Sequence, residues 1–213
     1  MLDSIVYGNP TREYLPYLEM SSFLDKHFDS LSYFTPPKNS SKATREELNA
    51  LVDMTKDVAT HPDVLERYKS YDFELEKTFA HLSAKMALSD EYISMIDSLF
   101  DDISPLIAKL KMHFQRPRPY QLAHAYKLKL FPYASYTSDN PSYPSGHAIQ
   151  SKVICYVLGN HLPDKWNFFE SLANDICYSR EYLGLHYRSD IDYSILCYET
   201  IIKDKEFKAK YKI

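Results

Sequence analysis

Glycine is scarce, with four residues in a chain of 213. Tight two-residue hairpins rely on residues that tolerate positive φ, so an architecture of strands and hairpins is poorly supplied. Cysteine is scarcer and odd in number. Cys155, Cys177 and Cys197 lie in apolar-patterned segments without metal-type spacing, which reads as reduced, buried thiols rather than a disulfide framework or a zinc site. No apolar run approaches the ~18 residues that a membrane span needs. The first residues, Met1 to Tyr7, hold no basic segment followed by an apolar stretch. With no secretory signal visible, a cytoplasmic location is expected. An excess of positive charge is also missing: 25 Lys and Arg against 29 Asp and Glu leave a net charge of -4. Nucleic acid and anionic membrane surfaces are therefore not expected partners, and any positive site must be a local cluster.

What is present points to one α-helical domain. With 45% apolar residues over 213 positions, the chain can bury a core, and nothing divides residues 1–213 into two units. Apolar residues recur with the helical period of 3.6. Residues 1–40 read as a helix around Tyr14 to His27 plus irregular chain. Thr44 and Glu47 form a capping-box pair ahead of Leu48, Leu51, Val52 and Val58. Pro62-Asp63 opens a second helix carrying Val64, Leu65, Tyr68, Leu75, Phe79 and Leu82, with an interruption near Ser70. Ser89 and Glu91 open a third, and Ser104-Pro105 predicts a break and restart before the helix runs to about Gln115. Arg116-Pro117-Arg118-Pro119 cannot be helical, because each proline removes a donor and extends its predecessor. From there to Pro144 the sequence reads as a long loop, either a rim or lid of a site or a wandering connection. Three helices follow: Ser145 to about His161, about Asp164 to Leu183, and one opened by Ser189 and Asp192.

Two short strings carry chemistry. Pro144-Ser145-Gly146-His147 stands where a loop enters a helix, and a helix N-terminus offers unpaired N–H groups to an anion. Gly146 allows close backbone approach, and His147 on the first turn is placed for general acid work. Read by itself, the string is equally a plain helix start with an incidental histidine. Ser179-Arg180, His186 and Asp190 make a nucleophile and its orienter: a carboxylate on one imidazole nitrogen fixes the tautomer, while a guanidinium neutralises the anion under attack. Ahead of both strings lie two overlapping basic registers, Lys109 with Arg116-Pro117 and Lys111 with Arg118-Pro119. Spacing does not choose between them, and the pair left over reads as a solvated cationic helix end.

Taken together, Lys-x6-Arg-Pro, Pro-Ser-Gly-His and Ser-Arg-x5-His-x3-Asp, in that order over residues 109–190, resemble the signature of a known superfamily. It comprises the type 2 phosphatidic acid phosphatases, the bacterial class A acid phosphatases and the vanadium haloperoxidases. Lys111-Met112-His113-Phe114-Gln115-Arg116-Pro117-Arg118-Pro119-Tyr120 is similar to the first motif of the soluble class A enzymes, and this favours Lys111 and Arg118. Tyr143 and the lysine-rich C-terminal helix fit the same branch. Residues 1–85 resemble it only in being helical.

The resemblance implies a single-domain all-α bundle of the acid phosphatase and vanadium haloperoxidase type. It also implies a metal-independent hydrolase of small phosphomonoesters, with phosphotransferase activity as a companion. Lys111, Arg118, Ser145, Gly146, His147 and Arg180 would hold the phosphoryl oxygens. His186 would be the nucleophile, oriented by Asp190, and His147 would protonate the leaving group. A neutral His186 and a protonated His147 predict a bell-shaped pH profile with a mildly acidic maximum. Vanadate would be an inhibitor with no other cofactor needed; under a second reading, a haloperoxidase, it would be the cofactor. A third reading is a phosphate-binding module without turnover, against which the presence of both histidines argues. Class A enzymes are often dimers and usually exported, so a homodimer is implied, whereas the lack of a visible signal departs from the branch.

Overall fold

The computed structural model describes residues 1–9, 14–72, 75–135 and 137–213. It is all-α, with no strand among the described residues. The helices are α1 (Leu15–Glu19), α2 (Phe28–Ser32), α3 (Lys42–Ala59), α4 (Pro62–Asp72), α5 (Leu75–Met86), α6 (Asp90–Phe114), α7 (Pro119–Ala125), α8 (Gly146–His161), α9 (Trp166–Tyr182), α10 (Arg188–Lys203) and α11 (Lys205–Tyr211). Helix α8 is the hub and packs against α6, α9 and α10. Nearly all of its side chains from Ala148 to Leu158 are buried or half-buried, because neighbours surround it. The main core joins Ile103, Leu106 and Leu110 of α6 to Val153, Ile154 and Val157 of α8 and to Phe169, Ile176, Cys197 and Ile201. All three cysteines are free and buried, as their apolar surroundings predicted.

Several sequence expectations are corrected. The capping box at Thr44 and Glu47 does not form. The N-cap is Ser41, whose hydroxyl accepts from the Thr44 N–H. Thr44 instead donates to the Lys38 carbonyl, and Glu47 is drawn to Arg116 and to the Ser189 N–H. The break at Ser104-Pro105 is absent, since α6 runs through Pro105. An interior proline costs about 3 kcal/mol. Burial of Ile103, Leu106 and Leu110 around it returns roughly 1.5–3 kcal/mol for each side chain, so packing wins. Ser70 lies inside α4, and the link from α4 to α5 lies outside the described residues.

The final helix caps on Tyr187, not Ser189, with the Tyr187 N–H donating to Asp190 rather than to Asp192. In the stretch after Pro119 the sequence suggested only loop, yet Pro119 starts α7, and Leu122 and Ala123 bury against Leu48, Leu51 and Tyr187. The N-terminal helix is not continuous either. It is replaced by α1, a 3-10 turn at Phe23–His27 and α2. A short C-terminal helix, α11, follows the expected last one, capped by Asp204 on the Phe207 N–H.

Candidate active site

The helix periodicity separates the two candidate lysines. Two residues on an α-helix are about 200° apart, so Lys109 and Lys111 cannot face one ligand. Lys109 points outward to Asp25, with Nζ 2.5 Å from Oδ2. Lys111 points inward, is buried, and donates to the Pro141 carbonyl at 2.5 Å. Gln115 ends α6 in the left-handed region at φ 51°, and Arg118 then stands in extended backbone ahead of α7. Both arginines are buried, which corrects the expectation of a solvated leftover pair.

Arg118 is held as a fork. Its Nε donates to the Asn140 carbonyl at 2.7 Å, one Nη to Asn140 Oδ1 at 2.9 Å, and the other Nη to the Leu185 carbonyl at 3.0 Å and to His186 Nε2 at 2.9 Å. Asn140 lies in the stretch that the sequence left as loop, and no motif singled it out.

His186 and Arg180 come together through a local turn. At the end of α9 the Gly184 N–H donates to Glu181, and the Leu185 and His186 N–H groups fold back onto the Arg180 carbonyl. Gly184 sits at φ 71°, and a Cβ there would meet Thr55 Cγ2 at 2.9 Å. Both conditions require glycine. Asp190, in the first turn of α10, then receives His186 Nδ1 on Oδ2 at 3.1 Å. Arginine can only donate and an ionised carboxylate can only accept, so His186 carries its proton on Nδ1 and presents a lone pair on Nε2. Burial, followed by Arg118, Lys111 and Arg180, pushes His186 well below its ordinary pKa. It is neutral at pH 7.

The cavity in front of this histidine measures about 560 Å3, and Lys111, Arg118, Gly146, His147 and His186 line it. Leu75, Ile107, Tyr14 and Tyr17 supply apolar and aromatic wall, and Glu76 and Asp139 add acidic groups. Ser145 and Arg180 are buried and not among the lining residues. Ser145 Oγ caps α8 on the Ala148 N–H at 3.4 Å, and its own N–H is taken by Ser194 Oγ at 2.8 Å. Its hydroxyl proton is still free to donate. A Cβ on Gly146 would meet only ordinary contacts, the nearest 3.7 Å away at Ile107. Protein packing alone therefore does not demand glycine there.

Arg180 donates through one Nη to Asp72 Oδ1 at 2.5 Å, while its Nε and other Nη are buried without a partner. The buried His147 Nε2 is likewise without one. Such orphaned donors are what a bound oxyanion satisfies. Asp72 also accepts from Ser135 and Thr137. Sequence reasoning missed Asp72, and nothing in its helical surroundings marks it. Burial, then Arg180, Lys111 and Arg118, pushes His147 well below its ordinary value. These cations favour the neutral imidazole in the chain by itself, whereas the protonated His147 expected from the sequence belongs to the substrate-bound first step.

The family model of the PAP2 superfamily matches residues 97–198, which contain the whole cation and histidine constellation. That segment belongs to the PAP2 superfamily. Two solved structures share the fold. A bacterial vanadium-dependent iodoperoxidase superposes with a TM-score of 0.65 at 17% identity, over 94% of this chain and 59% of that one. The chain thus spans about three fifths of that protein's length. A transmembrane PAP2-type phosphatidylglycerolphosphate phosphatase from Bacillus subtilis superposes with a TM-score of 0.57 at 20% identity, over 88% of this chain and 94% of that one. No curated protein matches the chain. In contrast to the second neighbour's description, no helix among the described residues is long and apolar enough to cross a membrane.

Proposed function

We propose that this PAP2 protein is a metal-independent phosphatase of the acid phosphatase type, most like the class A branch, acting on small phosphomonoesters through a phosphohistidine on His186. The observation that carries the reading is the state of His186. It is neutral and fixed as the Nδ1–H tautomer by Asp190, and its Nε2 lone pair lies on the cavity wall beside Arg118. Attack by Nε2 on phosphorus forms the P–N bond and breaks the bond to the leaving oxygen. Asp190 then faces an imidazolium, which its carboxylate stabilises. Lys111, Arg118, Arg180, the Ser145 hydroxyl and the α8 N-terminus match the charge spread over the equatorial oxygens.

His147 needs a proton to release the alkoxide, and the substrate supplies the condition for it. A dianionic phosphoryl group offsets the cations that keep His147 neutral, so binding raises its pKa toward protonation. After the leaving group departs with that proton, neutral His147 takes one from water. The water attacks phosphorus, the P–N bond breaks, and phosphate and neutral His186 are restored. An added alcohol would intercept the same intermediate, giving phosphotransfer. The donor set also favours an anion over a divalent metal, because Lys111, Arg118 and Arg180 repel a cation.

The same residues fit vanadate, with His186 Nε2 as its protein ligand and Lys111, Arg118, Arg180 and Ser145 around its oxygens. When bound, it would supply peroxide activation. Release of phosphate from an aryl phosphate by wild type and His186→Ala, with and without vanadate, separates the readings. Wild-type turnover inhibited by vanadate, with a loss of at least about 10^4-fold in His186→Ala, is expected. Hydrolysis that survives the substitution sinks the covalent route. Halide oxidation with vanadate and peroxide, in place of hydrolysis, assigns the peroxidase. Tight phosphate binding with neither activity leaves a binding module.

A further inference from the structure

Arg116 does not touch the cavity, yet it is as deeply buried as the arginines of the site. A guanidinium away from water needs acceptors, and Arg116 has them on two sides. One Nη donates to Asp190 Oδ1 at 2.5 Å and to Ser189 Oγ at 2.8 Å, and the other donates to Glu47 Oε2 at 3.2 Å. The Tyr187 ring covers its face at 3.9 Å. Glu47 is pinned in turn, because its Oε1 accepts the Ser189 N–H at 2.6 Å. The chain of contacts therefore runs from α3 through Arg116 to the first turn of α10 and on to His186.

We propose that Arg116 is a positioning residue for the His186 reaction: it keeps Asp190 ionised and aimed at Nδ1, Glu47 weakens that hold, and the balance sets the pH at which His186 is competent. The inference rests on the phosphohistidine reading of the site. Burial by itself would drive Asp190 to take a proton; a protonated Asp190 carries no charge to stabilise the imidazolium formed on attack, and its O–H can donate to Nδ1, which moves the His186 proton to Nε2. Among the described residues, the hydrogen bonds to the Asp190 carboxylate come from Arg116, His186 and the Tyr187 N–H. Arg116 is thus the cation in contact with it. Lys111 and Arg118 act from the cavity side without touching it, Glu181 of α9 acts as a distant like charge, and the Tyr143 and Tyr187 phenols near it stay neutral. Burial pushes Asp190 up to about 6, with Arg116 pulling it down and Glu47 pushing it up. The two neighbours, one bonded to the carboxylate and the other bonded to that neighbour, therefore act in opposite directions on one group.

The test measures kcat for aryl phosphate hydrolysis from pH 4.5 to 8 in wild type, Arg116→Met, Arg116→Lys and Glu47→Gln, together with 15N NMR of the His186 ring in histidine-labelled protein. Arg116→Met should move the acid limb to higher pH and Glu47→Gln to lower pH, each by about half a unit or more. Arg116→Lys keeps the charge without the fork and should fall between Arg116→Met and wild type. KM should change less than about threefold, because Arg116 is off the cavity. Limbs that stay in place, or that shift the same way in the Arg116→Lys and Glu47→Gln proteins, overturn the proposal. If Arg116→Met does not fold, these two milder variants carry the comparison alone. Should wild type release no phosphate, the phosphatase reading has failed while the NMR titration still decides this one. Loss of the Nδ1–H signal at a higher pH in Arg116→Lys than in wild type supports it, and an unchanged midpoint overturns it.

Discussion

The cavity wall and the layer behind it treat charge in opposite ways. On the wall, burial and then nearby cations, Arg180 among them for each, push the pKa values of Lys111, Arg118 and His147 down. The hydrogen bonds of Lys111 and Arg118 go to backbone carbonyls, Asn140 and His186 rather than to a carboxylate, and Glu76 and Asp139 line the same cavity without bonding to them. Behind the wall, each functional charge has a counter-charge in contact: Asp72 on Arg180, Arg116 on Asp190, Glu47 on Arg116. Among the described residues the front lacks counter-charges in contact and the back has them, although Arg180 Nε, its second Nη and Arg116 Nε keep no hydrogen-bond partner. A site that binds an anion in its reaction needs the first, and a nucleophile held in one tautomer needs the second.

Breaking the back should have the largest effect. Asp190→Asn keeps the shape but cannot enforce the Nδ1–H tautomer, and kcat should fall about 10^4-fold with folding retained, as read by steady-state kinetics and circular dichroism. Asp72→Ala leaves the Arg180 charge buried with no counter-ion. A loss of about 3 to 5 kcal/mol is expected from urea unfolding, with added inorganic phosphate restoring part of it.

Breaking the front should cost catalysis and leave the fold intact. Lys111→Met removes one cation from the wall and should lower kcat/KM about 10^2- to 10^3-fold. Its neighbour in sequence sharpens the contrast: Lys109→Met breaks only the part-exposed pair with Asp25 and should change stability by less than about 1 kcal/mol with activity unchanged. Equal losses in the two variants would contradict the inward and outward placement of these lysines.

The pH profile distinguishes the layers without mutation. Asp190 is pushed up to about 6, so lowering the pH through 6 protonates it, removes the charge that fixes the Nδ1–H tautomer, and should produce the acid limb of kcat there. A profile flat from pH 4 to 9 would contradict this assignment.

The signature residues were legible in the sequence because their spacing is set by local structure. His186 and Arg180 meet through one helix-ending turn, and Asp190 reaches His186 from the next helix start. The entry from loop to helix at Pro144-Ser145-Gly146-His147 is read correctly for the same reason, with Ser145 as the N-cap of α8. The expectations that failed concern competition between local and distant partners. Glu47 was assigned to its own helix start, but Arg116 and Ser189 drew it away. Pro105 was assigned to a helix break, but the core kept the helix continuous through it. Asn140 lies in a stretch without period, so no local signal could place its side chain against Arg118.

The sequence by itself determined the all-α class, most of the long helices and the order of the PAP2 signature, since periodicity, capping residues and short-range spacing express physics within a few turns. Its spacing left two basic registers open, and only the family resemblance favoured Lys111 with Arg118. Only the tertiary structure decided that Lys111 and Arg118 line the cavity, that Lys109 turns outward, and that Arg116 stands behind Asp190. The reason is that a buried charge is stable only where distant segments supply its partners. Those partners, Asp72, Asn140 and Glu47, come from helices and loops whose meeting no local pattern encodes.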